Sequence, residues 1–360
     1  WFCIPNGADN TYIRNFATMI RDRLDPSLKV YVAKGNERWN PLFSHAYNFD
    51  VEQAAARNLS NNHVFHGVRS EEIFDIFTSV FGEKRRREQL VFVVDTQTSV
   101  PWITSQIFSA SPTLAKKTDA LGVTAYISCG GLGSRELAQS TALLSVDEIL
   151  DACVDAVDGI DALWRSQVAM LREIIPEQDW KRGQQFNASA AASKSLFSSS
   201  PIPLVVYEGG PALVEQATIE TGSETPGLVD KLIAASRHPR MESVYLKYLK
   251  SFGRLGLIGG RRFALPFFLF SSTGRPSRYG SWGLLEYTGQ PRSASPKARA
   301  LDTFASSILR QLLAPGCTNP NAINYDPNAV TSNSSCIFPP TRITATSGGI
   351  VRIAGEDGSV

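Results

Sequence analysis

The chain has 360 residues, and 36 Lys and Arg against 34 Asp and Glu leave a formal net charge of +2. That balance provides no polybasic surface for nucleic acid or anionic lipid. An apolar fraction of 43% with 19% charged residues excludes a mainly disordered chain, and no apolar run reaches the roughly 18 residues of a membrane helix.

In chain order, Trp1–Pro5 reads as a strand and Asn10–Leu24 as a helix. Asp9 is its N-cap, and Ile13, Phe16, Ala17, Ile20 and Leu24 lie on one face. Lys29–Val32 is the next strand and Val51–Leu59 a short helix. Ser70–Phe81 reads as a helix capped by Ser70 and ended by Gly82, with a stripe of Ile73, Phe74, Phe77 and Phe81. Gln89–Val94 is a strand, Pro101–Phe108 a helix and Ala120–Ile127 a strand. Ser145 and Glu148 form a capping box that opens a long helix to about Ile175. A polar Ser/Ala-rich linker, Gly183–Ser200, leads to the strand Pro203–Tyr207. Leu228–Phe252 is helical and broken or bent at Pro239, and Arg262–Phe270 is a strand. The last helix starts with Ser295 as cap and Pro296 at its first position, and stops before Pro315-Gly316.

These are six βα units with short, continuous apolar strands, as buried parallel strands require. A single (β/α)8 barrel takes roughly 250 residues, so the length leaves room for an appendage. No strand is followed by a phosphate-binding loop. Gly130-Gly131-Leu132-Gly133 comes closest but lacks the Lys and Ser/Thr of a nucleotide site, so no cofactor is expected. A Gly-x-Ser-x-Gly elbow is also missing, which argues against an esterase. Of the four histidines, His45, His63, His66 and His238, the close pair His63 and His66 reads as loop residues. No third ligand completes a metal set around them, and no metal is expected.

In parallel α/β folds chemistry gathers at the C-terminal ends of strands. One strand runs through Val30-Tyr31-Val32 into Asn36-Glu37-Arg38-Trp39-Asn40, and another ends Tyr207-Glu208-Gly209-Gly210. A carboxylate directly behind a buried apolar run is costly unless it is paired or used. Two on one mouth, about 5–5.5 Å apart, would be the acid/base and nucleophile of retaining glycoside hydrolysis. Each also has a structural alternative: Glu37 as partner of Arg38 or Lys34, Glu208 as a turn cap, and Trp39 and Trp282 as core or rim residues.

Asn36-Glu37 and Tyr207-Glu208, three strands apart, together with Tyr126, His238-Pro239-Arg240-Met241 and Gly280-Ser281-Trp282-Gly283, resemble the signatures of clan A glycoside hydrolases. These are cellulase- and mannanase-like (β/α)8 TIM barrels. The resemblance implies Glu37 as acid/base, Glu208 as nucleophile, Asn36 on the sugar 2-hydroxyl, and Tyr207 or Tyr126 orienting Glu208. It implies Trp282 as a stacking face for a pyranose and places Trp39 among the substrate contacts. It also implies that the third to eighth βα units are present and that the first two, with an Arg that helps hold the nucleophile, precede Trp1. Where such proteins carry an acidic and aromatic pair, this chain reads Ala33-Lys34-Gly35. A lysine beside Glu37 would favour its ionised form, the wrong direction for an acid. That departure supports the rival reading, a non-catalytic carbohydrate-binding or adhesion protein on a degenerate barrel.

Of five cysteines, Cys3, Cys129 and Cys153 lie in apolar contexts and read as buried, reduced thiols. Cys317 and Cys336 bracket a polar loop, Thr318–Ser335, that needs a staple; a disulfide there would contribute on the order of 3 kcal/mol. Asn319, Asn324, Asp326 and Asn328 include one carboxylate, too few for a calcium set. This segment resembles a short cysteine-bracketed module of secreted proteins, which implies an extracellular setting. Three sequons, at Asn58, Asn187 and Asn333, are compatible with it. The expected organisation is a partial barrel over 1–314, a disulfide-stapled module over 315–338, and a linker or start of a further module over 339–360. The expected partners are a carbohydrate and further domains of a longer chain, with no nucleic acid and no membrane span.

Overall fold

The computed structural model describes residues 1–129, 135–179, 200–215, 222–254 and 267–312. Beyond these it describes 315–322, 325, 331–332, 336–337, 344–345 and 351–352. The glycine-rich segment 130–133, the linker 183–199, the sequons at Asn187 and Asn333, the start of the Arg262–Phe270 strand, and Asn324, Asp326 and Asn328 lie outside the described residues. So does most of 339–360.

The chain divides into two compact units, Trp1–Leu301 and Asp302–Val360. The first is a mixed α/β unit on a five-stranded parallel sheet. Its strands are β1 (Phe2–Ile4), β2 (Val30–Lys34), β3 (Leu90–Asp95), β4 (Ala120–Ser128) and β5 (Leu204–Ala212), paired in the order β1-β2-β3-β4-β5. Each strand therefore pairs with the next in sequence, with helices in the connections. Phe267 bridges Val206 in parallel, and Phe268 N–H and Phe270 N–H donate to the carbonyls of Val206 and Gly209 at 3.0 and 2.9 Å. The segment after β5's helices thus returns along β5 in the position of a sixth strand.

The sheet is strongly curled. Four strand spacings in a flat sheet would separate β1 from β5 by about 19 Å. Yet the Trp1 ring lies 6.5 Å from Tyr207 of β5 and 5.9 Å from Phe268, while stacking on Tyr31 of β2 at 5.6 Å. Ala33, Val91, Val93, Ala120 and Val205 fill the concave side, with Trp1 and Tyr31 packed on them. Alternate residues, such as Val32, Val94 and Val206, face the helices.

Most helices follow the sequence pattern. Asp9 caps α1 (Asn10–Arg23) through Tyr12 N–H, and the Ser145–Glu148 capping box opens the long helix Val146–Ile174. Pro239 splits its segment into two helices, Leu228–Arg237 and Met241–Arg254, with His238 extended before the proline. Ser295 Oγ accepts from Ala298 N–H at the start of the helix Pro296–Leu312.

Several expectations need correction. The helix α2 covers Ser44–Ala56 rather than starting at Val51. The helix expected from Ser70 begins eight residues earlier: α3 is Asn62–Phe81, capped by Asn61, whose Oδ1 accepts from His63 and Val64 N–H. Ser70 is a fully buried interior residue that donates to His66 O. His63 and His66 are therefore buried helical residues, not loop residues; the polar Asn61-Asn62-His63 run hid the first turns.

The cysteines divide differently as well. Cys129, directly after β4, and Cys153, on the buried face of the helix Val146–Ile174, form a disulfide with Cα atoms 4.3 Å apart. Both are fully buried, so an apolar setting here marks a crosslink rather than two thiols. Cys3 is free and exposed, on a strand whose one partner among the described residues is β2.

In the second unit Cys317 and Cys336 are bonded, with Cα atoms 4.8 Å apart. Pro315–Gly316 pairs in parallel with Thr331–Ser332, and Cys317 bridges Tyr325. Thr344–Ala345 pairs antiparallel with Val351–Arg352. Among the described residues no helix is long and apolar enough to cross a membrane.

Candidate active site

The strand ends explain which side chains reach the concave mouth. On β2, Tyr31 and Ala33 face the concave side, so Lys34, one residue on, faces the helices. There its ammonium bonds both Asp50 oxygens of α2, at 2.9 and 2.6 Å, and Arg38 Nε donates to the same carboxylate at 3.2 Å. Lys34 is thus engaged with Asp50, not with Glu37, and the expected ionising effect on Glu37 fails for a reason of parity.

Beyond Lys34 the chain turns sharply. Gly35 has φ +71°, and a Cβ there would meet Arg38 Cδ at 2.4 Å. Glu37 itself has φ +45°, an unusual backbone for a non-glycine residue that costs on the order of 1–3 kcal/mol. The turn leaves Glu37 7% exposed, with Oε2 accepting from Asn40 Nδ2 at 2.8 Å.

On β5 a bulge performs the placement. Val123 pairs with Val206, but Thr124 pairs with Glu208, so Tyr207 is skipped in the register. Strict alternation would turn Tyr207 and Glu208 to opposite faces; the extra residue lets both face the concave side. Tyr207 packs beside Gly122, where an added Cβ would lie 3.3 Å from its ring, and its hydroxyl donates to Thr96 O at 3.4 Å. Gly209 then faces the helices, where a Cβ would come within 2.6 Å of Tyr248 Oη and 2.8 Å of Ala125 Cβ.

Glu208 is held at both oxygens. Asn36 Nδ2 donates to Oε1 at 3.2 Å and Tyr126 Oη donates to Oε2 at 3.0 Å. The Tyr126 ring meets Trp282 edge to face at 5.3 Å, and the Trp282 indole N–H donates to Tyr279 O at 2.8 Å. Glu37, Glu208, Asn36, Tyr126, Tyr207 and Trp282 are therefore gathered in one neighbourhood. Trp39 is half-buried beside the Tyr207 hydroxyl.

The two glutamates differ in charge preference. Burial pushes the Glu37 carboxyl up to about 7; the Asn40 hydrogen bond opposes this, and the charges of Glu208 and Asp95 add to it. Burial also raises Glu208, but its two donors, Tyr126 and Asn36, favour its charged form. One carboxyl is thus biased to keep its proton and the other has donors waiting for its charge. Such a pair can protonate a leaving group and attack an electrophilic carbon.

Sequence reasoning missed a third acid. Asp95 ends β3, shares the concave parity of Val91 and Val93, and is 2% exposed. His66 Nε2 of α3 lies 3.4 Å from its Oδ1. The signal was available: Asp95 follows Leu90–Val94 as directly as Glu208 follows Leu204–Tyr207. Among the described residues no group of three or more His, Cys, Asp or Glu is arranged to hold a metal ion. No protein-family model matches the chain, and no curated protein or solved structure compared with it does either.

Proposed function

We propose that the chain is a retaining glycoside hydrolase that cleaves a β-linked poly- or oligosaccharide by double displacement. Its curled sheet would be the third to eighth strands of a (β/α)8 barrel of the clan A type, and its setting extracellular. The observation that carries the reading is the pairing of a buried, proton-retaining Glu37 with a Glu208 held by Asn36 and Tyr126. Sequential parallel pairing of five strands, with Phe267–Phe270 beside the fifth, supports the barrel. Two disulfides support an oxidising compartment.

Glu37 gives its proton to the glycosidic oxygen as the C–O bond breaks, while a Glu208 oxygen bonds the anomeric carbon. Glu37 then takes a proton from water, whose oxygen displaces Glu208. Asn36, shared between Glu208 and the sugar 2-hydroxyl, orients both. Trp282 provides the apolar face beside Tyr126. The rival, a non-catalytic carbohydrate-binding protein, drew its support from Lys34, which is engaged with Asp50.

The test is azide rescue. Glu37→Ala should cripple cleavage of substrates with poor leaving groups most. On an activated aryl β-glycoside, azide should restore turnover by attacking the glycosyl–Glu208 ester and yield a glycosyl azide of retained configuration. Parent protein inert on a broad panel of β-glycosides, or rescue with inverted product, would sink the proposal.

A further inference from the structure

The buried Asp95 has no task in the two-carboxylate chemistry, yet its placement is costly. Neither carboxylate oxygen has a hydrogen-bond partner in acceptable geometry among the described residues, and both are shielded from solvent. An unpartnered buried carboxylate is retained at a penalty of several kcal/mol unless something uses it. Its surroundings are fixed by register. Asp95 pairs with Gly122 of β4, and a Cβ on Gly122 would lie 3.3 Å from both Asp95 Cβ and the Tyr207 ring. Asp95 therefore flanks the same glycine as the residue that precedes Glu208.

Among the described residues, His66 of α3 is the ionisable side chain in contact with Asp95, and groups on several elements feel its charge. They are Lys34 and Cys3 from β2 and β1, Glu37 from the turn after β2, and Tyr207 and Glu208 from β5. Lys34 is committed to Asp50 on the opposite face. Tyr126 of β4 completes the set around Glu37.

We propose that Asp95, set against His66 and beside Gly122 and Tyr207, is a positioning residue of this site: its buried carboxylate adds to the burial that already holds the proton on Glu37, while Glu208, held by Asn36 and Tyr126, carries the charge. The repulsion acts on both glutamates, and hydrogen bonding resolves it. Glu208 has two donors for its charged form, whereas Glu37 has only Asn40. A common negative field therefore leaves the less supported carboxyl protonated. The proposal deepens the glycosidase reading and rests on it for the roles of the two glutamates; the electrostatic coupling itself does not.

The experiment follows the carboxyl carbons of the intact chain by carbon-13 NMR with labelled glutamate, assigning Glu37 by the signal lost in Glu37→Gln. Asp95→Asn removes the charge at nearly constant shape. The Glu37 midpoint should fall by a fraction of a pH unit, since burial remains the larger cause, and both limbs of the pH–rate profile should move to lower pH together. A role in packing alone would change stability and leave both limbs in place. Asp95→Ser, a second neutral variant, gives the same displacement if the first does not fold. A Glu37 midpoint that stays put or rises in a folded neutral variant overturns the proposal. A midpoint that falls in protein inert on every glycoside upholds the coupling and sinks the hydrolase reading instead.

Discussion

Two clusters of charge meet at the turn after β2, where Lys34 and Arg38 flank Glu37 in the chain, and they are built on opposite terms. Lys34, Arg38 and Asp50 form a closed set: both cations contact the one carboxylate, and all three are at most 2% exposed. Glu37, Glu208 and Asp95 form an open set: each raises the proton affinity of another or has its own raised by one, and among the described residues no Lys or Arg is bonded to any of them, His66 alone lying against Asp95. Burial draws the Lys34 ammonium below its usual range, yet Asp50 opposes the shift. In the acid set, by contrast, burial and mutual repulsion on Glu37 act in the same direction. Strand parity separates the two sets, since Lys34 and Ala33 are neighbours on opposite faces. The closed cluster ties α2 to the sheet; the open one biases Glu37 to keep its proton.

If that division holds, substitutions in the two clusters should fail in different assays. The largest effect should come from Glu208→Gln, which keeps the shape and the acceptor for Tyr126 but removes the proposed nucleophile. Turnover of β-glycosides should drop by about 10⁴-fold or more, with little change in thermal midpoint. Equal activity of variant and parent would remove Glu208 from the chemistry.

Asp50→Asn should do the reverse. It leaves Lys34 and Arg38 buried around an uncharged amide, and breaking a buried pair from one side costs about 3–5 kcal/mol. Chemical denaturation should show that loss, while Asp95→Asn or Glu208→Gln should show much less. A stability change of under about 1 kcal/mol would mean that the closed cluster is solvated and not structural.

Glu37→Gln separates the clusters by pH. The folded-state pKa of Glu37 is raised from 4.5 to about 7. The folded chain therefore binds the extra proton between those values while the unfolded chain has released it, and stability falls as pH rises through that window. The neutral glutamine does not suffer this loss. The variant should match the parent at pH 4 and exceed it at pH 8 by on the order of 3 kcal/mol. Denaturant midpoints at the two pH values decide it, and an equal difference at both would show that Glu37 is not held protonated.

The same contrast bears on what could be read from sequence. The two glutamates were legible because each follows an uninterrupted apolar run, and a charge in that position is conspicuous. Asp95 meets the same condition, but the continuous apolar run ends at Val94 and leaves it looking like the first loop residue. The parity of Lys34 was also implicit, since Tyr31, Ala33 and the alternation fix its face, but its partner Asp50 lies on a helix that the pattern started too late. The bulge at Tyr207 was not legible: one extra residue in a strand leaves no mark in composition or hydrophobic period, yet it decides that Tyr207 and Glu208 face the same way. The Cys129–Cys153 bond was hidden for a related reason, because two cysteines in apolar settings read alike whether bonded or free.

The smallest predicted effect is the most diagnostic of how Glu208 is tuned. Tyr126 Oη donates to Glu208 Oε2 at 3.0 Å, and burial, with the Glu208 charge beside it, drives the phenol's own pKa upward, so it stays a donor across the working range. Tyr126→Phe removes that donor and leaves the ring against Trp282. A hydrogen bond to a charged group contributes about 1.5–3 kcal/mol, so kcat should fall about tenfold to a hundredfold. The sign of the pH effect follows from which form loses support. The bond favours ionised Glu208, so its loss raises the Glu208 pKa, and the acid limb of the pH–rate profile moves up. Glu37 keeps its burial, its Asn40 bond and its repulsion from Asp95, so the alkaline limb stays. The profile should therefore narrow from the acid side alone, unlike the joint displacement expected for Asp95→Asn. A profile that shifts as a whole in Tyr126→Phe would mean that Tyr126 serves both carboxyls and that the asymmetry between them arises elsewhere.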